Sequence, residues 1–434
     1  MASCTSDIEE TTATTGKSNV QLVVGEFPAF GDSQTRAIGT PDEGKTSWAV
    51  GDELLLEIDN TFYGKQYATF TYNGKSWELT SGELVYREGD PAYIPHVYYA
   101  PNYKWEAGKL VLKEGKVAGT DEYIEGTAQI TPNGEAITVK FSEATRNYSR
   151  LRIATMPNKP ITVSINKYTP AGSSDMKWDQ NYALTSDEKG NAYLYGTFEN
   201  NSEVTVKYRE VALATHTFSQ ATESAKSYAL DATVISANSA EEIKSAIEQK
   251  VADSKTAIRL NLASDAGADE FMAIREAIKG AAPNDEGTIE LTIIGVETIP
   301  EEAFKRMSQL KSVKMPDVKE IKKYAFSECQ YLTVVEAPSL NKLNSGAFNE
   351  CYLLSKLTFG PINYADARYW QIFEDITPNI DLILSDYQKE MIETDDDLYT
   401  ANNDIDYAFS PEHVSKNFLG HEFKSITCRR YRVE

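Results

Sequence analysis

Three segments in the C-terminal half of the chain share one pattern, and this pattern decides the fold of that half. They read Ile299-Pro300-Glu301-Glu302-Ala303-Phe304, Ile321-Lys322-Lys323-Tyr324-Ala325-Phe326 and Leu343-Asn344-Ser345-Gly346-Ala347-Phe348. Each Ala-Phe pair follows the previous pair after 22 residues. A fixed period in the twenties is typical of leucine-rich repeats, in which each copy contributes a short strand. One copy cannot bury its apolar face, so the copies are expected to stack.

Each copy also contains a run that suits a short parallel strand. The predicted strands are Lys311–Met315, Thr333–Ala337, Ser355–Phe359 and, in a degenerate fourth copy with Trp370 at the phenylalanine position, Ile380–Leu384. Exposed side chains on these strands would contact a ligand, and a shift of one residue would change which of them face outward. The predicted binding face consists of Lys311, Lys314, Thr333, Glu336, Ser355, Lys356 and Thr358.

The two ends of the repeat array have signals of their own. Ser239 and Glu242 form a capping box that opens an amphipathic helix. A second helix is predicted over residues 268–279, because Gly280 suits a helix C-terminus. We expect these helices to cover the apolar face of the first repeat and His421–Thr427 to form a closing strand.

The form Ile-x-x-x-Ala-Phe-x-x-Cys-x-x-Leu, which begins at Ile321, resembles the BspA-like leucine-rich repeat. That repeat occurs on surface adhesins of Bacteroidetes, so the resemblance implies adhesion. Cys329 and Cys351 occupy equivalent positions in adjacent copies and should stack at about the strand spacing of 4.8 Å. Two interpretations remain open for them: a disulfide in an oxidising compartment, or a buried reduced pair.

Residues 20–236 show many short strands separated by turns, which predicts β-sandwiches. Asn73-Gly74 and Asn133-Gly134 lie between strand-like runs and predict hairpins whose two turn residues have positive φ. Pro160 lies between two groups of predicted strands, so we place a domain boundary there. The predicted fold is multidomain and mainly β: a flexible tether at 1–19, sandwich domains at 20–158 and 159–236, and a short α/β repeat solenoid at 237–434.

Gln34-Thr35-Arg36-Ala37, followed by Ser47-Trp48-Ala49-Val50-Gly51-Asp52-Glu53-Leu54, resembles the signature of Bacteroidetes fimbrillin-like proteins. The resemblance implies a lipoprotein with two successive β-sandwich domains. Polymerising members are cut after an arginine near the N-terminus, lose their first strand and join by strand exchange. Arg36 occupies the corresponding neighbourhood and is the predicted cleavage site. The alternative is an ordinary arginine on an exposed loop.

The start Met1-Ala2-Ser3-Cys4, followed by a polar tract, resembles the mature end of a bacterial lipoprotein. The tract is rich in Thr, Ser and acidic residues, so it cannot bury a core and should act as a tether. The resemblance implies a lipid on Cys4 and a place at the cell surface, in the outer membrane. The alternative is an incidental cysteine at a tag junction.

Residues 93–105 form the densest aromatic cluster of the chain. Flat aromatic rings stack on sugar faces, so Tyr98, Tyr103 and Trp105 are a candidate glycan platform. The alternative is a core strand followed by a Pro-bounded loop, in which the aromatics alternate between interior and surface.

Composition narrows the classes of function. The chain has 434 residues and a formal net charge of −22, which argues against a phosphate-binding surface and therefore against nucleic acid. Its four histidines are scattered, and no metal-binding, phosphate-loop or nucleophile motif appears, so no cofactor or metal is expected. The acidic run at 395–406 lacks the glycine and glutamate of an EF-hand and is expected to be a solvated insertion.

These features predict a non-enzymatic cell-surface adhesin that binds a host or bacterial protein or glycan through its repeats. One alternative is an accessory or tip subunit of a fimbria, assembled with other subunits by strand exchange. A second alternative is a glycan-capture protein. The two carboxylates that hydrolyse a glycosidic bond are brought together only by the fold, so the sequence does not reveal whether such a pair is present.

Overall fold

The structure is a computed structural model that describes residues 20–28, 30, 44–86, 92–131, 135–142, 145–253, 256–362, 364–365, 371–385, 393–394, 417–419 and 421–429. Within these residues the chain is mainly β, with two helices. It divides into two compact units. The first unit contains Met1–Val206 and Ala214–Ala232, and the second contains Lys207–Leu213 and Thr233–Glu434.

The first unit begins with nine strands. They are β1 (Gln21–Val24), β2 (Glu53–Asn60), β3 (Gly64–Tyr72), β4 (Trp77–Gly82), β5 (Ala92–Tyr99), β6 (Tyr103–Glu106), β7 (Lys109–Leu112), β8 (Ile124–Ile130) and β9 (Ala136–Lys140). Seven of them form a sheet in the order β1-β9-β8-β5-β2-β3-β4, while β6 and β7 pair as a separate hairpin. All neighbours in the sheet are antiparallel except β1 and β9, which are parallel.

The Asn73-Gly74 turn joins β3 and β4 as predicted, but by a different mechanism. Only Gly74 has a positive φ, of 96°. Asn73 instead accepts hydrogen bonds through Oδ1 from the backbone N–H groups of Lys75 and Ser76, each at 2.8 Å. The side chain therefore takes the role of a turn carbonyl, which is a common use of asparagine in loops. Asn133-Gly134 lies outside the described residues.

Eight further strands complete the first unit or end at its border. They are β10 (Ser149–Ala154), β11 (Pro160–Ile165), β12 (Tyr168–Pro170), β13 (Gln180–Thr185), β14 (Asn191–Phe198), β15 (Glu203–Tyr208), β16 (Val211–Thr217) and β17 (Ser227–Asp231). They form two four-stranded sheets, ordered β12-β14-β10-β17 and β13-β11-β15-β16. Burial alternates residue by residue along β14, so every second side chain faces the interior.

The predicted boundary at residues 158–159 is misplaced, because it separates β10 from its partners. Leu151 of β10 pairs with Leu194 of β14 and with Tyr228 of β17. Both partners follow the predicted boundary, so the division between the two groups of sheets falls before Ser149. Pro160 begins β11 and does not separate domains.

The second unit contains all the remaining elements. They are β18 (Ile235–Ala237), α1 (Ala240–Ala252), β19 (Ala257–Leu262), α2 (Ala268–Ala281), β20 (Ile289–Ile294), β21 (Thr298–Ile299), β22 (Leu310–Lys314), β23 (Glu320–Ile321), β24 (Val334–Ala337), β25 (Lys342–Leu343), β26 (Lys356–Phe359), β27 (Tyr364–Ala365), β28 (Asp381–Ser385), β29 (Glu393–Thr394), β30 (Asn417–Phe418), β31 (His421–Glu422) and β32 (Ser425–Arg429). One parallel sheet has the order β18-β19-β20-β22-β24-β26-β28-β32, and a second has the order β21-β23-β25-β27-β29.

The helices begin where the sequence predicts them, but the second one ends later. Ser239 caps α1 by accepting a hydrogen bond from the N–H of Glu242 at 3.3 Å. Helix α2 continues through Gly280 to Ala281, because an exposed glycine lowers helix stability without preventing the helix. The buried face of α2 is formed by Phe271, Ile274, Ala277 and Ile278.

A column of stacked phenylalanine rings runs through the core of the second unit. Phe304, Phe326 and Phe348 stack at centroid distances of 5.2 and 5.5 Å, with interplanar angles of 18° and 8°. Phe373 continues the column at 5.9 Å from Phe348, so the last step is 25 residues, not the predicted 22. Trp370, predicted for this position, lies outside the described residues.

The phenylalanine column ends in an edge-to-face contact on both sides. Phe271 of α2 meets Phe304 at 5.6 Å and 72°, and Phe423 meets Phe373 at 5.3 Å and 87°. Edge-to-face packing places the positive ring edge on the negative ring face. The helical element before the repeats and the segment after them therefore cover the two ends of the stacked core.

Candidate functional site

The parallel sheet of the second unit arranges the predicted binding face in rows. Val313, Val335 and Leu357 are partners on β22, β24 and β26, and all three are fully buried. Side chains alternate across a strand, so the residues on either side of this buried row point the other way. One outer row is Ser312, Val334, Lys356 and Asp381; the other is Lys314, Glu336, Thr358 and Ile383.

The seven residues of the binding face differ in how much they offer a ligand. Lys311 and Ser355 are exposed, while Lys314, Thr333, Glu336 and Lys356 are partly exposed. Thr358 is only 9% exposed, so it offers a ligand the smallest surface of the seven. Ser312, which shares the outward register, is buried to a similar degree, at 7%.

Two hydroxyl groups of the binding face bond to the repeat's own backbone. The Thr333 hydroxyl donates to the carbonyl oxygen of Lys311 at 2.8 Å, and the Ser355 hydroxyl donates to the carbonyl oxygen of Thr333 at 3.0 Å. The backbone N–H of each residue bonds to the same carbonyl oxygen. These side chains thus reinforce the link between adjacent copies, and their hydroxyl protons are already used.

The lysines of the binding face have different partners. Lys311 Nζ lies 2.9 Å from Glu290 Oε1, and the hydrogen bond to this carboxylate raises the pKa of Lys311. Lys314 Nζ donates to the carbonyl oxygen of Ala212 at 3.1 Å. Because exposed ion pairs contribute little to stability, Lys311 can exchange Glu290 for a ligand at small cost.

A second row of charges, which the sequence analysis missed, follows the shorter parallel sheet. Lys319 pairs with Glu297 at 2.6 Å, and Lys342 pairs with Glu320 at 3.1 Å. Lys342 also lies 4.6 Å above the ring centre of Tyr364. Each pair joins residues 22 positions apart, so the repeat period combined with opposite charges would have revealed it.

The two repeat cysteines are free and buried. Each thiol donates to a backbone carbonyl of the preceding copy: Cys329 to Phe304 and Cys351 to Phe326, both at 3.0 Å. Burial raises the pKa of Cys329 to about 12 and that of Cys351 well above its usual value. Of the two interpretations, the structure therefore shows the reduced pair, and burial keeps both thiols protonated.

The candidate glycan platform is part of a core in this structure. Tyr98 and Tyr103 are each 8% exposed and pack in one apolar cluster with Leu55. Trp105, which is partly buried, packs against the same cluster. A sugar needs an open ring face, so these aromatics cannot serve as a platform in this arrangement. Tyr98 lies on a core strand, β5, as the alternative expects, but Tyr103 and Trp105 lie on β6, where the alternative expects a loop.

Several predicted features lie outside the described residues. They are Cys4, Arg36 and the acidic run at 395–406. In the part of the chain that is described, no group of three or more His, Cys, Asp or Glu could hold a metal ion. Neither α1 nor α2, the two described helices, has the length and apolar character needed to cross a membrane.

Comparison with known proteins identifies one part of the chain. A search of curated proteins finds no match, and a search of solved structures finds none either. The fimbrillin-like resemblance of the N-terminal half therefore stays a prediction. Residues 288–383 match the family model described as the BspA type leucine rich repeat region, in six copies, so the C-terminal part of the chain carries this repeat.

Proposed function

We propose that this chain is a non-enzymatic adhesin of the cell surface whose repeats bind a protein or glycan ligand. In this proposal the repeats form a leucine-rich-repeat solenoid, and two fimbrillin-like β-sandwich domains act as its stalk. The observation that carries the proposal is the register of the parallel strands. It places outward side chains in rows at the strand spacing of about 4.8 Å, which suits an extended ligand.

Charged side chains of the binding face are its proposed contacts. Glu336 and Lys356 are partly exposed and belong to the adjacent strands β24 and β26, and Lys311 is exposed on β22, the strand beside β24. Each outer row contains one lysine followed by an acidic residue on the next strand: Lys314 by Glu336, and Lys356 by Asp381. A ligand with complementary charges would be steered and oriented by this pattern.

Charge reversal on the binding face tests the proposal. The double variant Lys311→Glu/Lys356→Glu should bind at least tenfold more weakly to matrix proteins, host cells, neighbouring bacteria or glycans that the full chain binds. Lys244→Glu is the matched control, because Lys244 is an exposed lysine on α1, away from the strands of the face. Equal binding of the double variant and the control would contradict the proposal.

Anchoring at the cell surface is a separate part of the proposal. The lipoprotein-like start and the polar tract after it support a lipid on Cys4 and a place in the outer membrane. When the chain is expressed behind a lipoprotein signal, Cys4→Ala should move it from the membrane fraction to the soluble fraction. A Cys428→Ala variant, which keeps Cys4, should stay with the membrane. Retention of Cys4→Ala on the membrane would contradict lipid anchoring.

One observation favours the fimbrial alternative. Among the described strands, β1 lies at the edge of its sheet and pairs only with β9, and it precedes Arg36 in the chain. Cleavage at Arg36 would detach a strand whose Leu22 is 7% exposed, and would leave an apolar groove with unpaired backbone groups. An Arg-specific protease should then produce a ladder of oligomers from the monomer but not from Arg36→Ala. Clean trimming without assembly would count against this alternative.

A further inference from the structure

A polar cleft lies in the first unit, on the sheet β13-β11-β15-β16. Its volume is about 190 Å³, and seven of its eight lining residues are polar. Clefts that enclose drug-sized ligands are larger, at roughly 300–1,000 Å³. The cleft therefore fits one small ring, with the rest of a longer ligand lying outside it.

The cleft offers hydrogen-bond donors next to acceptors. Asn181 Oδ1 accepts from the hydroxyl of Ser164 at 2.6 Å, and Asn166 Oδ1 accepts from the backbone N–H of Glu203 at 2.8 Å. These bonds fix the two amides and leave each amide nitrogen without an acceptor among the described residues. Free amide N–H groups are donors that a ligand oxygen can satisfy.

Two carboxylates supply the acceptors. Asp179 and Glu203 line the cleft, and neither carboxylate has an ion pair or hydrogen bond within the described part of the chain. A carboxylate accepts hydrogen bonds and cannot donate them when ionised. The pair therefore suits a ligand that donates hydroxyl protons, and it repels a ligand that carries negative charge.

An exposed tryptophan comes directly before three cleft residues in the chain. Trp178 directly precedes Asp179 and is 58% exposed, which is unusual for so large an apolar ring. Gln180, which also lines the cleft, donates through Nε2 to the Trp178 carbonyl oxygen at 3.0 Å and so holds the segment in place. Lys167 Nζ lies over the Trp178 ring, 5.9 Å from its centre.

We propose that this cleft binds a neutral sugar ring of a glycan, with the next ring stacked on Trp178. A sugar presents hydroxyl groups that both donate and accept, and an apolar face that matches an aromatic ring. The amide nitrogens of Asn166 and Asn181 and the carboxylates of Asp179 and Glu203 complement the hydroxyl groups. This site belongs to the first unit and does not depend on the repeats as a binding face.

The test uses the full chain and calorimetry with four probes: cellotetraose, mannotetraose, galactotetraose and tetragalacturonate. At least one of the three neutral probes should bind, and tetragalacturonate should not. Trp178→Ala should weaken the binding at least tenfold, and Trp178→Phe should keep part of it. Met176→Ala is the matched control, because Met176 is 41% exposed in the same loop but carries no ring.

Three outcomes would overturn the proposal. They are silence of all three neutral probes, tighter binding of tetragalacturonate, or equal affinities of Trp178→Ala and Met176→Ala. The substituted residues are exposed, so the melting temperatures of the variants should stay the same and loss of folding can be recognised. The Lys311→Glu/Lys356→Glu variant should bind these probes like the unmodified chain, which separates this site from the repeats.

Discussion

The two units bury their large side chains by different rules. In the second unit, Phe304, Phe326 and Phe348 come from equivalent positions and repeat one contact along the core. In the first unit, Arg146 is buried against Glu122. This contact is made by two different side chains and is not repeated at a fixed spacing along the chain. A periodic core needs only one arrangement of side chains, which each copy repeats. A core without a repeat needs many different side-chain arrangements that must all fit together. Two groups of variants test whether this difference appears in stability.

Separate spectroscopic signals make the two units distinguishable. Both described helices belong to the second unit, so helical circular dichroism follows that unit. Four of the five tryptophans lie in the first unit, and a Trp370→Phe background removes the fifth. Urea unfolding followed with these two signals gives a free energy of unfolding for each unit.

The largest effect is expected for Phe326→Ala. This ring is fully buried between Phe304 and Phe348, so its removal loses apolar burial and leaves a cavity in the middle of the column. The second unit should lose about 4 kcal/mol of unfolding free energy, as for other buried Phe→Ala changes. Tyr352→Ala is the control, because that ring is 46% exposed. Equal losses for the two variants would show that the stacked column contributes no more to the free energy of unfolding than an exposed ring does.

The corresponding variant in the first unit is Glu122→Gln. Arg146 Nε lies 3.2 Å from Glu122 Oε2, the side chains are 0% and 6% exposed, and the Tyr148 hydroxyl donates to the same carboxylate. Removal of one partner leaves a buried charge, so a loss of roughly 3 kcal/mol is expected in the tryptophan signal. The double variant Glu122→Leu/Arg146→Met should recover part of this loss. If the double variant had a lower free energy of unfolding than Glu122→Gln, the loss in Glu122→Gln would not come from the buried charge of Arg146.

Alkaline pH should weaken the second unit through its thiols. Burial raises the pKa of Cys329 and Cys351, so both stay protonated in the folded state, whereas in the unfolded chain they ionise near about pH 8.5. Below that pH the two protonated thiols cost the second unit no stability. As the pH rises above it, the unfolded state gains by ionisation and the free energy of unfolding falls. Two thiols give a loss of roughly 2–3 kcal/mol per pH unit above about pH 9, measured by helical circular dichroism in urea. A Cys329→Ala/Cys351→Ala variant should show a flatter dependence, and an unchanged slope would exclude the thiols as its cause.

The first unit should respond to alkali at higher pH. Burial raises the pKa of Tyr148, Tyr168 and Tyr195 well above the usual value. In the unfolded chain these phenols ionise near about pH 10, so the loss of stability begins above that pH. The tryptophan signal should thus change little between about pH 8 and about pH 9.5, where the helical signal already falls. A simultaneous decline of both signals would contradict this ordering.

The sequence predicts the second unit better than the first because its contacts repeat. The 22-residue step identifies the stacked rings Phe304, Phe326 and Phe348, and it fails at Phe373 only because the last copy is three residues longer. In the first unit the strands themselves are recognisable. Their partners are not, because Leu151 pairs with residues 43 and 77 positions later and no local pattern records that choice.

The site could be predicted only in part, for a related reason. Lys311 and Ser355 have the parity of buried Val313 and Leu357, yet both are exposed, so alternation alone does not identify them. The register of a parallel strand does place Lys314, Glu336 and Lys356 in the outward rows, and all three are partly exposed. It does not tell how deeply a side chain is covered, so Thr358 was selected although it is buried. The cleft beside Trp178 combines residues from β11, β13 and β15, and only the polar run Asp179-Gln180-Asn181 after that tryptophan hinted at it.

The smallest effects come from two glycines of the second unit, changed in the same way. Gly346 has a φ of 68°, but Glu302 and Tyr324 hold similar values at the equivalent positions, so the repeat accepts a side chain there. The difference is space, because a Cβ on Gly346 would lie 2.3 Å from the Tyr324 ring. Gly346→Ala should therefore cost about 1–2 kcal/mol.

Gly280→Ala provides the opposite case. This glycine lies in α2, and a Cβ added to it would meet nothing within 4 Å. Alanine restricts the unfolded chain and favours the helix, so the second unit should gain about 0.5–1 kcal/mol. Both values follow from urea unfolding observed by helical circular dichroism. If both variants lose stability equally, a Cβ at Gly346 is no more costly than a Cβ at Gly280. The close approach of Tyr324 would then contribute nothing to the free energy of unfolding.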